Sequence, residues 1–208
     1  MSVDFYDFES LLSEEERSVR NTARRWVDEA LMPHVADWYM RGEFPMELVP
    51  KMGELGFFGA NLPQEYGCAG LNNVAYGLLM QELERCDSGI RSFASVQGAL
   101  AMYPIFTFGS EEQKRHWLPK MAKGEVIGGY ALTEPDYGSN PGGMVTTARS
   151  DGNSWILNGW KRWVTNASDA DFVVVWAKTG ELEDAAKIDG CSHFQTLFKV
   201  IIPLGSDT

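Results

Sequence analysis

A chain of 208 residues with 44% hydrophobic and 12% aromatic residues can bury a core and has room for one large domain or two small ones. Its 18 Lys and Arg against 29 Asp and Glu leave a formal charge of −11, with no basic cluster. That balance argues against nucleic acid and anionic membranes as partners, because both need a positive footprint.

The first half reads as helices. The N-terminus, MSVDFYDFESLL, is acidic and lacks both an Arg-rich amphipathic stretch and an apolar signal core. Ser13 followed by Glu16 has the form of a capping box, and Val19, Ala23 and Trp26 start an apolar face that Leu31, Val35 and Trp38 continue. A shorter helix is expected over Met46 to Leu55, stopped by Gly56. Asn73 to Cys86 is periodic through Val74, Leu78, Leu79 and Leu83. After Asp87-Ser88-Gly89, the 19 residues from Ser92 to Ser110 carry no charge. Pro104, Gln97 and the scattered hydroxyls favour a buried helix there over a membrane span. Ser110 with Gln113 opens another capped helix that ends near Gly124.

Beyond Gly124 the pattern changes. Asp151-Gly152 and Asn158-Gly159 are hairpin signals beside short strands expected at Met144 to Arg149, Trp155 to Leu157 and Trp160 to Thr165. Phe172 to Ala177 is a continuous apolar run of strand length, and a further apolar run covers Val200 to Leu204. The expected fold class is therefore α+β. An all-helical domain over 1–125 precedes an incomplete antiparallel β domain, barrel- or sandwich-like, over 126–208. A sandwich of this kind takes about seven strands, and only five or six are legible here.

Cys68, Cys86 and Cys191 are widely spaced and form no CxxC pair, and the histidines are His34, His116 and His193. Reduced thiols without a metal cluster are expected, in a compartment such as the cytoplasm or the mitochondrial matrix. Neither GxGxxG nor GxxxxGK[ST] occurs.

Two stretches carry candidate chemistry. "YALTEPDYGSN", Tyr130 to Asn140, runs Tyr130, Ala131 and Leu132 into Thr133, then turns at Pro135 and Gly138. Amides near Leu132 and Thr133, with the Thr133 hydroxyl, can hydrogen-bond the edge of a planar heteroaromatic ring, and Ser139 beside Gly138 can meet a phosphate. On physics alone an ordinary β-turn with Thr133 as a local cap explains the same residues. "KRWVTN", Lys161 to Asn166, puts Trp163, Val164 and Thr165 on an expected strand, with Trp163 and Thr165 on one face. Trp163 there either stacks on a flat ring or belongs to the core.

TEPDYGS followed by WVTN at this separation closely resembles the flavin-binding signatures of the acyl-CoA dehydrogenases. LGFFGANLPQEYGCAG and FGSEEQKRHWLPKMAKGE resemble the same family, and the likeness runs from about Ser10 to Lys178. It implies non-covalent FAD, an acyl-CoA thioester substrate, an electron-transfer flavoprotein as electron acceptor and a homo-oligomer, usually a tetramer, once the protein is complete. Carried over, Tyr130 to Ser139 hold the flavin ring and pyrophosphate, with Thr133 at the pyrimidine end. Trp163 covers one side of the ring system, Thr165 lies near N5, and Ser139 lies where cofactor phosphate meets CoA.

"ELERCDSGIRS", Glu82 to Ser92, resembles the glutaryl-CoA dehydrogenase subgroup. The resemblance implies that Arg91 and Ser92 meet the substrate's distal carboxylate while Glu84 orients Arg91. An Arg fork matches a carboxylate well, although by itself Arg91 also reads as a solvated cation paired with Asp87 or Glu84. The family's catalytic base is a glutamate in a C-terminal helical bundle, so no catalytic residue is assigned up to Thr208, and Glu134 and Asp136 are not candidates. The chain by itself is expected to be inactive. The segment from about Cys191 departs from the family pattern. Two other readings stay open: a dehydrogenase of an uncharged fatty or branched acyl-CoA, and a non-catalytic binding or assembly subunit.

Overall fold

The computed structural model describes residues 5–152, 154–179 and 197–203. The chain forms two compact units, Met1–Glu125 and Val126–Thr208.

The first unit is helical, and its boundaries are set by local polar chemistry. After a short α1 (Phe8–Leu11), α2 (Glu14–Trp26) starts at Ser13. The Ser13 hydroxyl accepts from the Glu16 amide, and Glu16 accepts from the Ser13 amide at 2.8 Å. Both orphan donors at the helix start are satisfied, as the S-x-x-E spacing predicts. A π-helical turn (Val27–Leu31) and α3 (Val35–Arg41) carry the same apolar face onward. A 3₁₀ turn (Met46–Leu48) leads into α4 (Val49–Glu54), after which Gly56 takes φ +73°. That left-handed stop suits glycine.

Helix α5 (Asn73–Cys86) is capped by Asn72, whose Oδ1 accepts from the Ala75 amide at 2.8 Å. Its buried face is Ala75, Leu78, Leu79 and Leu83, and it packs against α2. Val74, expected on that face, is exposed, while its neighbour Ala75 in the same first turn is buried. Asp87 then closes α5 through its amide and opens α6 (Ser88–Ser95) by accepting from the Ile90 amide at 2.8 Å. The break between α5 and α6 therefore pivots on Asp87. The uncharged stretch continues as a π-helical segment (Val96–Met102) and α7 (Tyr103–Phe108). Its buried side chains include Val96, Gln97, Met102 and Ile105, and no helix among the described residues is long and apolar enough to cross a membrane. Ser110 and Gln113 form the second capping box, which starts α8 (Glu111–Ala122).

The second unit is a mixed sheet built from β1 (Gly128–Ala131), β2 (Thr147–Asp151), β3 (Ser154–Asn158), β4 (Phe172–Lys178) and β5 (Leu197–Pro203). The antiparallel pairing expected from the hairpin signal holds for β2–β3, where Asp151 lies opposite Ser154 beyond Gly152 at φ +65°. β5 also runs antiparallel to β4. β1 and β2 instead pair with β4 in parallel. Long excursions separate those strands, and parallel neighbours need long crossovers that leave no local turn signature. β4 is the buried strand its apolar run predicts, with Phe172, Val174 and Ala177 fully enclosed.

Trp160 to Thr165 is not a strand, and Asn158-Gly159 is not a hairpin. Trp163 at φ +58° and Asn166 at φ +67° are left-handed, which a pleated strand does not accommodate. Trp163 and Thr165 therefore do not share a strand face. Cys191 and the divergent stretch around it lie outside the described residues.

Candidate functional site

Two clusters of candidate residues emerge, one in each unit. In the β unit, loop 132–139 is brought against segment 160–165 by three hydrogen bonds. The Arg162 amide donates to the Thr133 carbonyl at 2.9 Å. Lys161 Nζ donates to the Leu132 carbonyl at 3.0 Å and to Glu134 Oε1 at 2.9 Å. The loop closes on itself where the amides of Glu134 and Tyr137 each reach the other's carbonyl. Thr165 is held beside β1: a Cβ built on Gly129 would meet the Thr165 carbonyl at 3.5 Å and a Val173 methyl at 3.2 Å. Asn166 Nδ2 also donates to the Gly128 carbonyl.

Glu134 is the anchor of this arrangement. Its carboxylate is 2% exposed and accepts from the Val145 amide at 2.6 Å and the Thr146 amide at 2.9 Å, in addition to Lys161. Burial pushes this carboxyl up, but the hydrogen bonds from Lys161, Thr146 and Val145 outweigh it and pull it down to about 2. A carboxylate this engaged is a poor base, so Glu134 is structural. Sequence inspection missed Lys161 and Arg162, and it could not assign Glu134 a partner. A lysine next to an exposed-looking Arg-Trp pair has no signature of burial.

Among the cofactor candidates, Ala131 is buried at the end of β1. Tyr130 packs its ring edge-on against Trp176 with centroids 6.0 Å apart, and burial raises its phenol above the ordinary value. Leu132, Thr133 and Val164 are half-buried, while Ser139 and Thr165 are exposed. Trp163 is 78% exposed and is not a core residue. The Arg162 guanidinium stacks on its ring at 4.6 Å, which leaves at most one indole face for another flat group. Thr133, whose carbonyl accepts from the Arg162 amide, and Thr165, two residues beyond Trp163, add hydroxyls to these joined loops. An open aromatic face beside hydroxyl and amide donors suits a planar heteroaromatic ligand with polar edges.

The second cluster lies around α5 and α6. Arg91 Nε donates to Glu84 Oε2 at 2.6 Å, and a terminal guanidinium nitrogen donates to Ser95 Oγ at 3.3 Å. Ser88 Oγ donates to Glu84 Oε1 at 2.6 Å. Ser88 and then Arg91 hold the Glu84 carboxyl below its ordinary range. The guanidinium and Glu84 are 35% and 45% exposed, and Ser92 is half-buried beside them. Sequence reading named Arg91, Ser92 and Glu84; Ser95, one helical turn beyond Arg91, was the missing member.

Residues 13–125 match the N-terminal domain of acyl-CoA dehydrogenases, and residues 129–195 match their middle domain. The chain belongs to the acyl-CoA dehydrogenase family. The mitochondrial short-chain specific acyl-CoA dehydrogenase of Bos taurus is 42% identical over 168 residues, which is 81% of this chain and 41% of that protein. A glutaryl-CoA dehydrogenase from Mycobacterium smegmatis, solved in complex with FADH2, superposes with a TM-score of 0.87 at 46% identity. It covers 97% of this chain and 48% of its own. A solved complex of glutaryl-coenzyme A dehydrogenase with glutaryl-CoA is 34% identical with a TM-score of 0.83, over 92% of this chain and 47% of its own. The chain thus spans less than half the length of these relatives.

Proposed function

We propose that this chain carries the flavin-facing and substrate-selecting part of an FAD-dependent acyl-CoA dehydrogenase whose substrate is glutaryl-CoA. FAD supplies a hydride acceptor for the substrate's Cβ. The residues around Thr133 and Trp163 bind and orient its ring system: Thr133 and Thr165 by hydrogen bonds, Trp163 by stacking. Ser139 serves the phosphate region. The α-proton goes to a carboxylate that is assigned to no residue of this chain, and hydrogen bonds to the thioester carbonyl make that proton acidic enough to remove. With glutaryl-CoA, the unsaturated product loses carbon dioxide from its distal carboxylate and takes up a proton at Cγ to give crotonyl-CoA. An electron-transfer flavoprotein accepts the electrons, and the complete protein is a homo-oligomer.

The observation that carries the substrate choice is Arg91, a half-exposed guanidinium braced by Glu84 and Ser95. Similarity to a structure holding glutaryl-CoA supports the same choice. One observation favours an uncharged short-chain acyl-CoA instead. Glu84 already neutralises Arg91, so a substrate carboxylate must share that cation. Replacing Arg91 by Met in the complete enzyme separates the two. A charged hydrogen bond is worth roughly 1.5–3 kcal/mol. Under the glutaryl reading, kcat/KM for glutaryl-CoA falls at least about tenfold, while that for butyryl-CoA falls less or rises. An unchanged ratio of the two constants refutes the dicarboxylic substrate.

A further inference from the structure

We propose that Lys161 and Glu134 form a clasp whose role is to position Thr133 and Trp163 for the cofactor. The proposal rests on the flavin reading above, but its geometry is independent of it. Thr133 sits between the two residues the lysine holds, Leu132 and Glu134, and Trp163 lies two residues beyond the lysine itself. The adjacent Arg162 amide completes the closure by donating to the Thr133 carbonyl. Each cofactor-facing side chain is thus one or two residues from a clamped atom.

The ion pair is buried: the side chains of Lys161 and Glu134 are 10% and 1% exposed. Enclosed pairs of this kind lose hydration that their mutual attraction does little more than recover, and apolar replacements are often as stable. What such a pair specifies well is register, because both charges must meet in one geometry or be stranded. Glu134 extends that register to a third segment by accepting from the Val145 and Thr146 amides just before β2. The turn is therefore fixed to the sheet at one end and to the tryptophan segment at the other. Trp163 at φ +58° needs such external restraint, since a bulky residue rarely holds a left-handed conformation unaided.

The test uses Lys161→Met, Glu134→Gln, the double variant and Lys161→Arg, all in the 208-residue chain. Two measurements are made on each: amide hydrogen exchange without ligand, and FAD affinity by flavin fluorescence. In Lys161→Met the Arg162, Val145 and Thr146 amides should lose about tenfold more protection than β4 amides such as Val174, whose loss reports only the change in global stability. FAD affinity should fall about tenfold in each single variant, and the double should be little worse than the weaker single. Lys161→Arg, which keeps the charge and donors, should bind within about threefold of the unaltered chain. Unchanged Arg162 protection in Lys161→Met, or losses that simply multiply in the double variant, overturn the clasp. Failure of the unaltered chain to bind FAD refutes the flavin reading, and the exchange result still decides the clasp. If Lys161→Met loses as much protection throughout β4 as at Arg162, Lys161→Gln takes its place, because it keeps a donor for the Leu132 carbonyl without the charge. An equal loss at β4 and Arg162 in that variant too would assign Lys161 to general stability and overturn the positioning role.

Discussion

Acidification gives a direct reading of the Glu134 site. A carboxyl that titrates at about 2 when folded, against 4.5 ordinarily, favours the folded state by about 3 kcal/mol once it is ionised in both states. The sign follows from the lowered folded value. The contribution is fully present above about pH 4.5, and it is lost as the pH falls from there through about 2. Glu134→Gln removes the titration and leaves Lys161 facing a neutral acceptor in an enclosed position. At pH 7 the variant should be destabilised by about 2–4 kcal/mol, the range for breaking a buried pair from one side tempered by the amide's remaining acceptor oxygen. Urea unfolding of the chain and the variant from pH 7 to pH 2.5, followed by tryptophan fluorescence, makes the comparison. The two stabilities should converge toward low pH, with the unaltered chain losing more. A variant within about 0.5 kcal/mol of the unaltered chain at pH 7, or two parallel pH profiles, would refute the reasoning.

The remaining predictions concern the ligand loops and a helix stop. Thr133→Ala combined with Trp163→Ala, in the complete protein, should lower FAD retention several-fold or more, because a hydrogen bond and a stacking face are lost together. Purification of that double variant with full flavin absorbance would reject the assignment. Gly124→Ala should destabilise the helical unit by about 1–3 kcal/mol. Its φ is +72°, and a Cβ there would lie 2.8 Å from a Val49 methyl and 3.1 Å from the Phe58 ring. Thermal unfolding measures it, and an unchanged midpoint would show that the stop tolerates a side chain.

Local signals in this chain proved the most legible. Ser13 with Glu16, and Ser110 with Gln113, cap their helices as their spacing indicates, because every atom involved lies within one turn. The Asp151-Gly152 hairpin and the enclosed strand at Phe172 are legible for the same reason, one from turn chemistry and the other from an unbroken apolar run. The paired motifs around Thr133 and Trp163 marked the family from sequence alone, since they are read as patterns of residues whatever backbone they adopt. The backbone of Trp160 to Thr165 was not legible. Its aromatic and β-branched residues after Asn158-Gly159 suggest a strand, yet bonds to Leu132, Thr133 and Glu134, almost 30 positions away, hold them in a non-strand path. The parallel pairing of β1 with β4 depends in the same way on partners about 40 residues apart. The burial of Glu134 and Lys161 also needed the tertiary structure. Both residue types are ordinarily solvated, and it is the amides of Val145 and Thr146 and the carbonyl of Leu132, brought in from separate segments, that give the enclosed pair its hydrogen-bond partners.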